Sequence, residues 1–516
     1  MGDRQQLDPT VEESQDNGAP ATKEQTPLSE KPPSNQHLVE FPESMWGKSK
    51  PEMALFVILI GGSAWVSMLA IPSYFPSIPV LARYFDTSIE SINLTATIYS
   101  VFQGISPLLW GGLSDSYGRR PIYLACISIA LVANVCLARV TQYPALMGLR
   151  VLQAFGGAST VSLLSAVVGD ITQRNNRGGV VAVMQSVQNL SNAFGPLISG
   201  TLLQRWSWRA TFWFLAIHAA LFLLLVFFLL PETNRHFSGN GSVLPTDPIR
   251  WSLYGYMRRK VSGKPFSSKD PEYKLQWLPP PHQSSVFRWL YLLRQIDVLF
   301  VLIPNALAYT TWFMILTSMS TNLMYFEHLD SLRVGLCYLP SGAGAISAAF
   351  IAGKTMNWNY KRRLNALKAE CTSKNIVFTP TLLNIYKVRL ELTLFAMVIM
   401  CIGTLVYGWT FHFRDKVSYI VPVVMTFPVS LSATFFISCS TVILVDLFPD
   451  DSAASTSCVN LTRCLLCAAG LAALDSMQTS LTIGGTYTIM AGLCALSWGL
   501  IYLEMRIGAR IAMNRN

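Results

Sequence analysis

The sequence predicts an all-α membrane protein: twelve transmembrane helices arranged as two pseudo-symmetric six-helix bundles. Three observations lead there. The chain of 516 residues is 51% hydrophobic and only 13% charged, where a soluble domain carries roughly a quarter charged residues; its mean hydropathy is +0.37. The apolar excess gathers into windows of about 20 residues, the length a helix needs to cross a bilayer. Those runs lack the alternation of a membrane barrel. Finally, a short charged turn is written twice: Gly111-Gly-Leu-Ser-Asp115-Ser-Tyr-Gly118-Arg119-Arg120, then Gly353-Lys-Thr-Met-Asn357-Trp-Asn-Tyr-Lys361-Arg362. Each follows two apolar spans, at the same spacing, with Asn357 in the place of Asp115. One element used at equivalent points of two halves marks a duplicated membrane architecture.

The twelve windows are 53–75, 92–112, 121–140, 145–168, 179–203, 210–230, 296–318, 333–353, 392–411, 418–444, 456–477 and 484–505. They divide the chain into a first bundle over 51–232 and a second over 292–510, the latter with a long loop at 354–391. Residues 1–50, rich in Glu, Gln, Pro and Ser, read as a disordered tail, and 511–516 as a short C-terminal tail. With no basic-then-apolar start, the first span is expected to act as the targeting signal. The polar stretch 233–291, with Gly239-Asn-Gly241 and Pro279-Pro-Pro281, reads as the linker between the bundles.

The net charge of +10 raises the question of nucleic acid, and its distribution argues against it. Arg119, Arg120, Arg174, Arg177, the basic residues of 233–294 and Lys361-Arg362-Arg363 all fall in even-numbered loops. Odd-numbered loops hold scattered charges such as Arg83, Arg139, Arg205 and Arg333. The positive-inside rule therefore puts the even loops and both termini in the cytoplasm. Lipid headgroups, not nucleic acid, are the partner this charge implies.

Most of the ten cysteines lie in apolar spans, where cysteine behaves as a small hydrophobe. Cys464-Leu-Leu-Cys467 has CxxC spacing but sits inside a predicted membrane helix, so packing is expected in place of redox chemistry or a metal. Gly353-Lys354-Thr355 resembles the end of a phosphate-binding loop, yet Ala348 stands where its first glycine belongs. ATP-driven transport thus lacks its engine. No cofactor is expected. His218 reads as packed or hydrogen-bonded. The sequons at Asn93, Asn189, Asn240 and Asn460 fall in spans or on the cytoplasmic side, so no glycan is expected.

Three groups of residues carry chemistry. In the first turn, Gly111 allows close helix approach and Gly118 a tight reversal. Asp115 sits at the membrane edge, free to pair with an arginine in one conformation, while Arg119 and Arg120 hold the loop to its face. An ordinary positive-inside loop is the competing reading; the repeat at Gly353, Asn357, Lys361 and Arg362 favours a conformational latch. In span four, Arg150 lies several residues inside the membrane, at a cost of about 2.5 kcal/mol or more near the centre. Gln153, at i+3, is its expected partner, and Gly156-Gly157 permits close packing. Snorkelling to the outer interface is the alternative. Arg463 in span eleven, beside Asn460, poses the same question. In span five, Gln185, Gln188, Asn189 and Asn192 share one helical face ahead of Gly195-Pro196 and Gly200. Pro196 removes an intrahelical hydrogen bond. Such a polar face lines an aqueous path or hydrogen-bonds a neighbouring helix. Tyr99, Phe102, Tyr309, Trp312 and Phe313 are candidates for an apolar cavity wall or for plain packing.

At these residues the chain resembles the major facilitator superfamily. Gly111 to Arg120 is similar to its loop 2-3 signature, departing where Ser116 replaces a frequent basic residue. Arg150 to Gly157 resembles the span-four signature, and Gly195-Pro196 to Gly200 the span-five signature of antiporters. Leu230-Pro-Glu-Thr-Asn-Arg235, Val334 to Gly344, Asn357 to Lys361, Leu444 to Pro449 and Asn460 to Cys464 resemble the fungal twelve-span drug:proton antiporters, in their quinidine-resistance and dityrosine-exporter branch. The resemblance runs from 51 to 510. It implies that Asp115 and Arg119 stabilise the outward-facing state, that Arg150 influences proton coupling, and that Gly195 and Pro196 form a bend limiting proton leak. Asn357 stands where that branch often has Asp, and Tyr386 where Glu is common.

The function expected is proton-driven export of a small amphiphilic organic compound (a drug, toxin or secondary metabolite) across the plasma membrane by a monomer. A vacuolar or other internal membrane stays open. So do proton-coupled uptake, polyamine or organic-cation export, passive facilitation, and a non-transporting receptor or scaffold. The sequence offers no carboxylate in the middle of span one, four or seven; Asp170, Asp297, Asp446 and Asp475 all lie near span ends. That absence favours neutral or weakly acidic cargo and leaves the proton carrier unassigned.

Overall fold

Capped, long and apolar segments make this chain a stack of helices, and a computed structural model describes residues 46, 49–172, 174–238, 241, 247–262, 288–325, 327–373, 384–448 and 452–513. Most of the expected tail 1–50 and much of the linker 233–291 lie outside the described residues. No strand occurs among those described.

The first helix, α1 (Lys50–Leu69), starts where Ser49 Oγ accepts from Glu52 N at 3.3 Å, satisfying one of the donors every helix start leaves open. A 3-10 turn (Pro72–Ser77) and α2 (Ile78–Tyr84) extend it. Next, α3 (Ile89–Tyr117) is capped by Ser88 and stopped by Gly118, and α4 (Arg119–Arg139) begins at once beyond it. The fourth expected span is two helices, α5 (Tyr143–Gly157) and α6 (Ser159–Ile171), meeting at Ala158. Then come α7 (Arg174–Arg205), which carries Pro196 inside it, and α8 (Trp208–Leu229). His218 on α8 is packed, with ring centroids 5.6 Å from Trp65 and 4.8 Å from Phe222.

Short helices follow: α9 (Arg235–Ser238), α10 (Leu253–Ser262) and α11 (Arg288–Leu293). The second half holds α12 (Ile296–Tyr325), α13 (Ser331–Leu336), α14 (Leu339–Ser373), α15 (Ile385–Leu390), α16 (Thr393–His412), α17 (Ile420–Leu447) and α18 (Ser452–Met513). Among the described residues, nine helical segments are long and apolar enough to cross a membrane. Three of the expected spans account for the difference. Helices α3 and α7 have 29 and 32 residues but carry more polar side chains, and α18 runs through the eleventh and twelfth windows, broken by non-helical Thr482.

Two expectations are corrected here. The long loop at 354–391 is helical over much of its course, because α14 continues without a break to Ser373 and α15 starts at Ile385. The tail at 511–516 begins as helix, with α18 reaching Met513.

The halves meet where α3 packs on α18 and α7 on α13 and α14. Glycines permit the approach. A Cβ on Gly104 would stand 3.0 Å from Cys464 Cβ, and one on Gly335 2.7 Å from Pro196 O. Phe75 stacks on Tyr338 with centroids 6.1 Å apart and sets an edge to Phe313. Asn93 Nδ2 donates to Asp475 Oδ2 at 2.9 Å, and Asn460 Nδ2 to Gln103 O at 3.1 Å. These contacts occupy the end of the bundle away from the Gly118 turn, and its middle. Among the described residues, no hydrogen bond, ion pair or close glycine contact joins 105–117 to the second half or 346–363 to the first. Added Cβ atoms at Gly111 and Gly353 would meet nothing within 4 Å. The described contacts between the halves thus gather at the end away from the Gly118 turn and in the middle.

Candidate functional site

The turn between α3 and α4 is built around Arg119. Gly118 takes φ +100° and ψ 158°, a backbone region open essentially to glycine, and so aims two consecutive backbone N–H groups at one carboxylate. Arg119 N donates to Glu232 Oε1 at 2.9 Å and Arg120 N to Glu232 Oε2 at 3.3 Å. The Arg119 guanidinium pairs with Asp115 at 2.5 Å and with Asp170, at the end of α6, at 3.1 Å. It also donates to Ser114 Oγ at 2.7 Å. Asn234 Nδ2 closes the ring on Asp115 O at 3.2 Å. Through its guanidinium and its backbone N–H, Arg119 thus ties α3, α4, α6 and the segment after α8 together.

Arg120 does a different job. Its buried guanidinium donates to Val226 O (3.2 Å), Phe227 O (2.6 Å) and Leu230 O, and to Ile249 O at 2.9 Å. Phe227 O and Leu230 O are carbonyls that the end of α8 leaves without a helical partner, so Arg120 caps α8. Glu232 lies outside the membrane spans. Its burial holds the carboxyl above the ordinary glutamate value, opposed by the N–H groups of Asn234, Arg119 and Arg120. Sequence reasoning missed Glu232, Asp170 and Asn234 as partners. The polar run Glu232-Thr-Asn234 directly after an apolar span was the available signal.

The second copy of the turn does not form. Gly353, Asn357, Lys361 and Arg362 lie exposed on the uninterrupted α14. Tyr360 occupies the position that Gly118 holds in the first copy, so the chain has no residue at ease in the reversing conformation and the helix continues. The ion pairs at this end use other residues: Arg363 Nε meets Glu391 Oε2 at 3.1 Å, and Arg389 meets Asp446 at 2.9 Å.

Arg150 is fully buried and does not snorkel. Its guanidinium carbon lies 3.8 Å from the ring centroid of Tyr74 and 4.8 Å from that of Tyr99. Each such contact contributes about 0.5–2 kcal/mol. Nη1 donates to Gln153 Oε1 at 2.6 Å, and Gln153 Nε2 passes the chain on to Asn134 Oδ1 at 2.7 Å. Nε and Nη2 of Arg150 and Oη of Tyr99 have no partner. In the second half Arg463 lies 5.0 Å over the Tyr309 ring and donates to Asn460 Oδ1 at 2.9 Å. Asn460 also bonds Gln103 O on α3, the helix whose Tyr99 ring lies against Arg150.

The remaining candidates are mostly packing residues. Tyr309 and Trp312 are buried, and Trp312 Nε1 donates to Ser341 Oγ at 3.1 Å. Gln188 is buried and Asn192 half-buried, and their neighbour Asn189 reaches Ala345 O at 3.5 Å. Gln185's side chain lies outside the described residues. A Cβ on Gly195 would stand 2.9 Å from Pro72 Cβ, and one on Gly200 would collide with Ser331 O. The span-five motif therefore sits at the closed end, against the 3-10 turn and α13. Among the described residues no group of His, Cys, Asp and Glu is placed to hold a metal. Cys464 and Cys467 are buried and free.

A two-half helical bundle with polar seams between its halves and a charged turn at the open end defines a membrane transporter, not an enzyme. The family model of the Major Facilitator Superfamily matches residues 60–471, and the chain belongs to that family. It is 36% identical to the MFS antiporter QDR2 of Candida albicans, over 88% of each chain. It is 30% identical to Quinidine resistance protein 1 of Saccharomyces cerevisiae, over 90% of this chain and 85% of the relative. To Citrate exporter 1 of Aspergillus niger it is 30% identical, over 88% and 85% respectively. Among solved structures, that of the human organic anion transporter MFSD10 (TETRAN) aligns with TM-score 0.56 and 16% identity, covering 88% of this chain and all of that one. That likeness concerns the fold.

Proposed function

We propose that the chain exports a small amphiphilic organic compound in exchange for protons, as two six-helix bundles that alternate about a central seam. One observation carries this: the Arg119 network closes the first half on itself at the end where the halves stand apart, while the other end is sealed across them. By the positive-inside rule the open end is cytoplasmic, so the conformation is inward-facing. In the outward state the turn 111–120 would approach α18, and Asp115, half exposed here, would exchange partners. Both termini then lie in the cytoplasm, in the plasma membrane, and a monomer suffices.

The cargo reading follows from the seam. Its two guanidinium groups, Arg150 and Arg463, have no ion pair among the described residues, and the carboxylate in the α3–α18 contact, Asp475, is held by Asn93, which disfavours polyamines and other organic cations. The citrate named in one relative's title is an acidic cargo that agrees with this reading, whereas the quinidine named in another's is an organic amine. The test is transport in inside-out vesicles with an imposed proton gradient. Gradient-driven uptake of cargo supports export. Flux that ignores the gradient indicates a facilitator, movement with the protons indicates a symporter, and no flux for any amphiphile indicates a receptor or scaffold.

A further inference from the structure

At the Arg119 end of the first half, the carboxylates of Asp115, Asp170 and Glu232 each meet a cation or backbone donors. The second half is built otherwise. Glu504, near the end of α18, is 0% exposed, and neither Oε1 nor Oε2 has a hydrogen-bond partner. It lies between Tyr386, at the start of α15, and Gly508 on its own helix. A Cβ on Gly508 would stand 2.9 Å from Glu504 Cδ and 3.0 Å from Tyr386 Cδ1. Tyr386 Oη in turn donates to Asp297 Oδ2, at the start of α12, at 3.2 Å. Asp297 is buried too, close enough for its charge to act on Glu504.

Among the described side chains, no cation on the surrounding elements is hydrogen-bonded to Glu504. Arg506 of α18 bonds Tyr502 Oη at 2.8 Å, Arg389 of α15 holds Asp446, and Arg363 of α14 holds Glu391. Arg294, before α12, and Lys387 of α15 point to the exterior. Asn384 Nδ2 is turned to Met505 O at 3.4 Å. Where α4 sends Arg120 into the end of α8, α15 sends an uncharged tyrosine towards the end of α18.

A carboxylate stripped of water and partners costs several kcal/mol, and two neighbouring carboxyls do not both ionise in one buried site. We propose that Glu504, with Asp297 and Tyr386, is a proton-binding site of the second half. Glu504 carries one proton as a carboxylic acid in this conformation. When the ends of α18 and α15 part, it gives that proton to water and becomes a carboxylate. The role in transport rests on the exporter reading; the bound proton does not.

The first measurement needs no variant. Dicyclohexylcarbodiimide, which attacks protonated carboxyls in apolar surroundings, is applied to the full chain in lipid at neutral pH, and the adduct is mapped by mass spectrometry. Labelling at Glu504 is expected; labelling confined to Asp297, or none at either, overturns the assignment. Infrared difference spectra should show a carboxylic-acid carbonyl band at neutral pH that Glu504→Gln removes and Asp297→Asn keeps. Its persistence in the Gln variant is equally fatal. In vesicles, Glu504→Gln should lower gradient-driven transport about tenfold or more, the scale of a lost proton-transfer group, while gradient-free counterflow continues. Unchanged gradient-driven transport in that variant overturns the coupling role. A wild type that ignores the gradient yet shows the band removes the exporter reading and leaves the proton site in place.

Discussion

Gly118 and Glu232 fit together with no room for another carbon: a Cβ on Gly118 would lie 3.1 Å from the Glu232 carboxyl carbon and 2.5 Å from its Oε2. The glycine also sits at φ +100°. Two independent penalties therefore meet at one position, backbone strain of about 1–3 kcal/mol and the displacement of a carboxylate that accepts two backbone N–H groups. Gly118→Ala should lower the thermal midpoint of the purified protein by several degrees and abolish transport. Gly111→Ala, facing open space, should leave the midpoint unchanged. Equal effects of the two would show that the turn does not depend on this contact.

The same carboxylate gives the turn a pH dependence. Burial raises the Glu232 carboxyl above its ordinary value, so the folded state binds its proton more readily than the unfolded chain. The stability it contributes is therefore fully present below the ordinary glutamate value and declines as pH rises through the folded value. Melting curves from acid to neutral pH should show this decline in the wild type. In Glu232→Gln the slope in that window should vanish, and the loss of one of the two oxygens that accept the Arg119 and Arg120 N–H groups should cost about 1–3 kcal/mol. An unchanged slope would remove Glu232 from the account.

Arg150 tests the seam. Its flat guanidinium lies against Tyr74 and Tyr99 while it holds Gln153, a geometry that an ammonium does not reproduce. Both Arg150→Lys and Arg150→Ala should abolish transport with surface expression intact. Gln153→Ala should act more mildly, because the stacking survives it. Normal transport by Arg150→Lys would mean that charge alone is used there.

What the sequence made legible followed from local chemistry. Long apolar runs gave the helices, and the Gly118 reversal and the Arg150–Gln153 pair followed from spacing within one turn of chain. What it hid is set by distance or by a single substitution. Glu232 is 113 residues from Arg119, whose N–H it accepts, and Tyr74 reaches Arg150 from another helix. The second turn was misread because glycine and basic residues recur at matching places, while the one residue that makes the reversal possible, Gly118, has Tyr360 as its counterpart. Glu504 stayed hidden because a carboxylate near a span end ordinarily reaches water, and only packing reveals that this one does not.

That misreading yields a prediction about the second half. Asn357→Ala and Lys361→Ala, both exposed on α14, should leave transport near wild type. Arg363 and Glu391, joined by two hydrogen bonds, should instead couple in a double-mutant cycle. Both are part-exposed, so the coupling energy should be about 0.2–1 kcal/mol. Strong loss of transport in Asn357→Ala would restore this segment as a working counterpart of the first turn.

The closed end can be forced open. Gly342 on α14 abuts Ala193 on α7 so tightly that a Cβ would stand 2.6 Å from Ala193 Cα and 2.8 Å from its backbone nitrogen. Backbone does not yield as a side chain would, so a side chain at 342 wedges the two halves apart on that side. Overpacking of this kind costs about 1–3 kcal/mol, enough to shift a two-state equilibrium about tenfold or more towards the opposite opening. In a Cys136→Ser background, which removes an exposed native thiol, a cysteine placed at Asn93 reports on that end, since Asn93 is buried there against Asp475. Gly342→Leu should raise its maleimide labelling by a similar factor, and Gly353→Leu, set in open space at the other end, should not. If labelling at residue 93 ignores the wedge, α7 and α14 do not form the moving contact and the alternation proposed for the two halves fails with it.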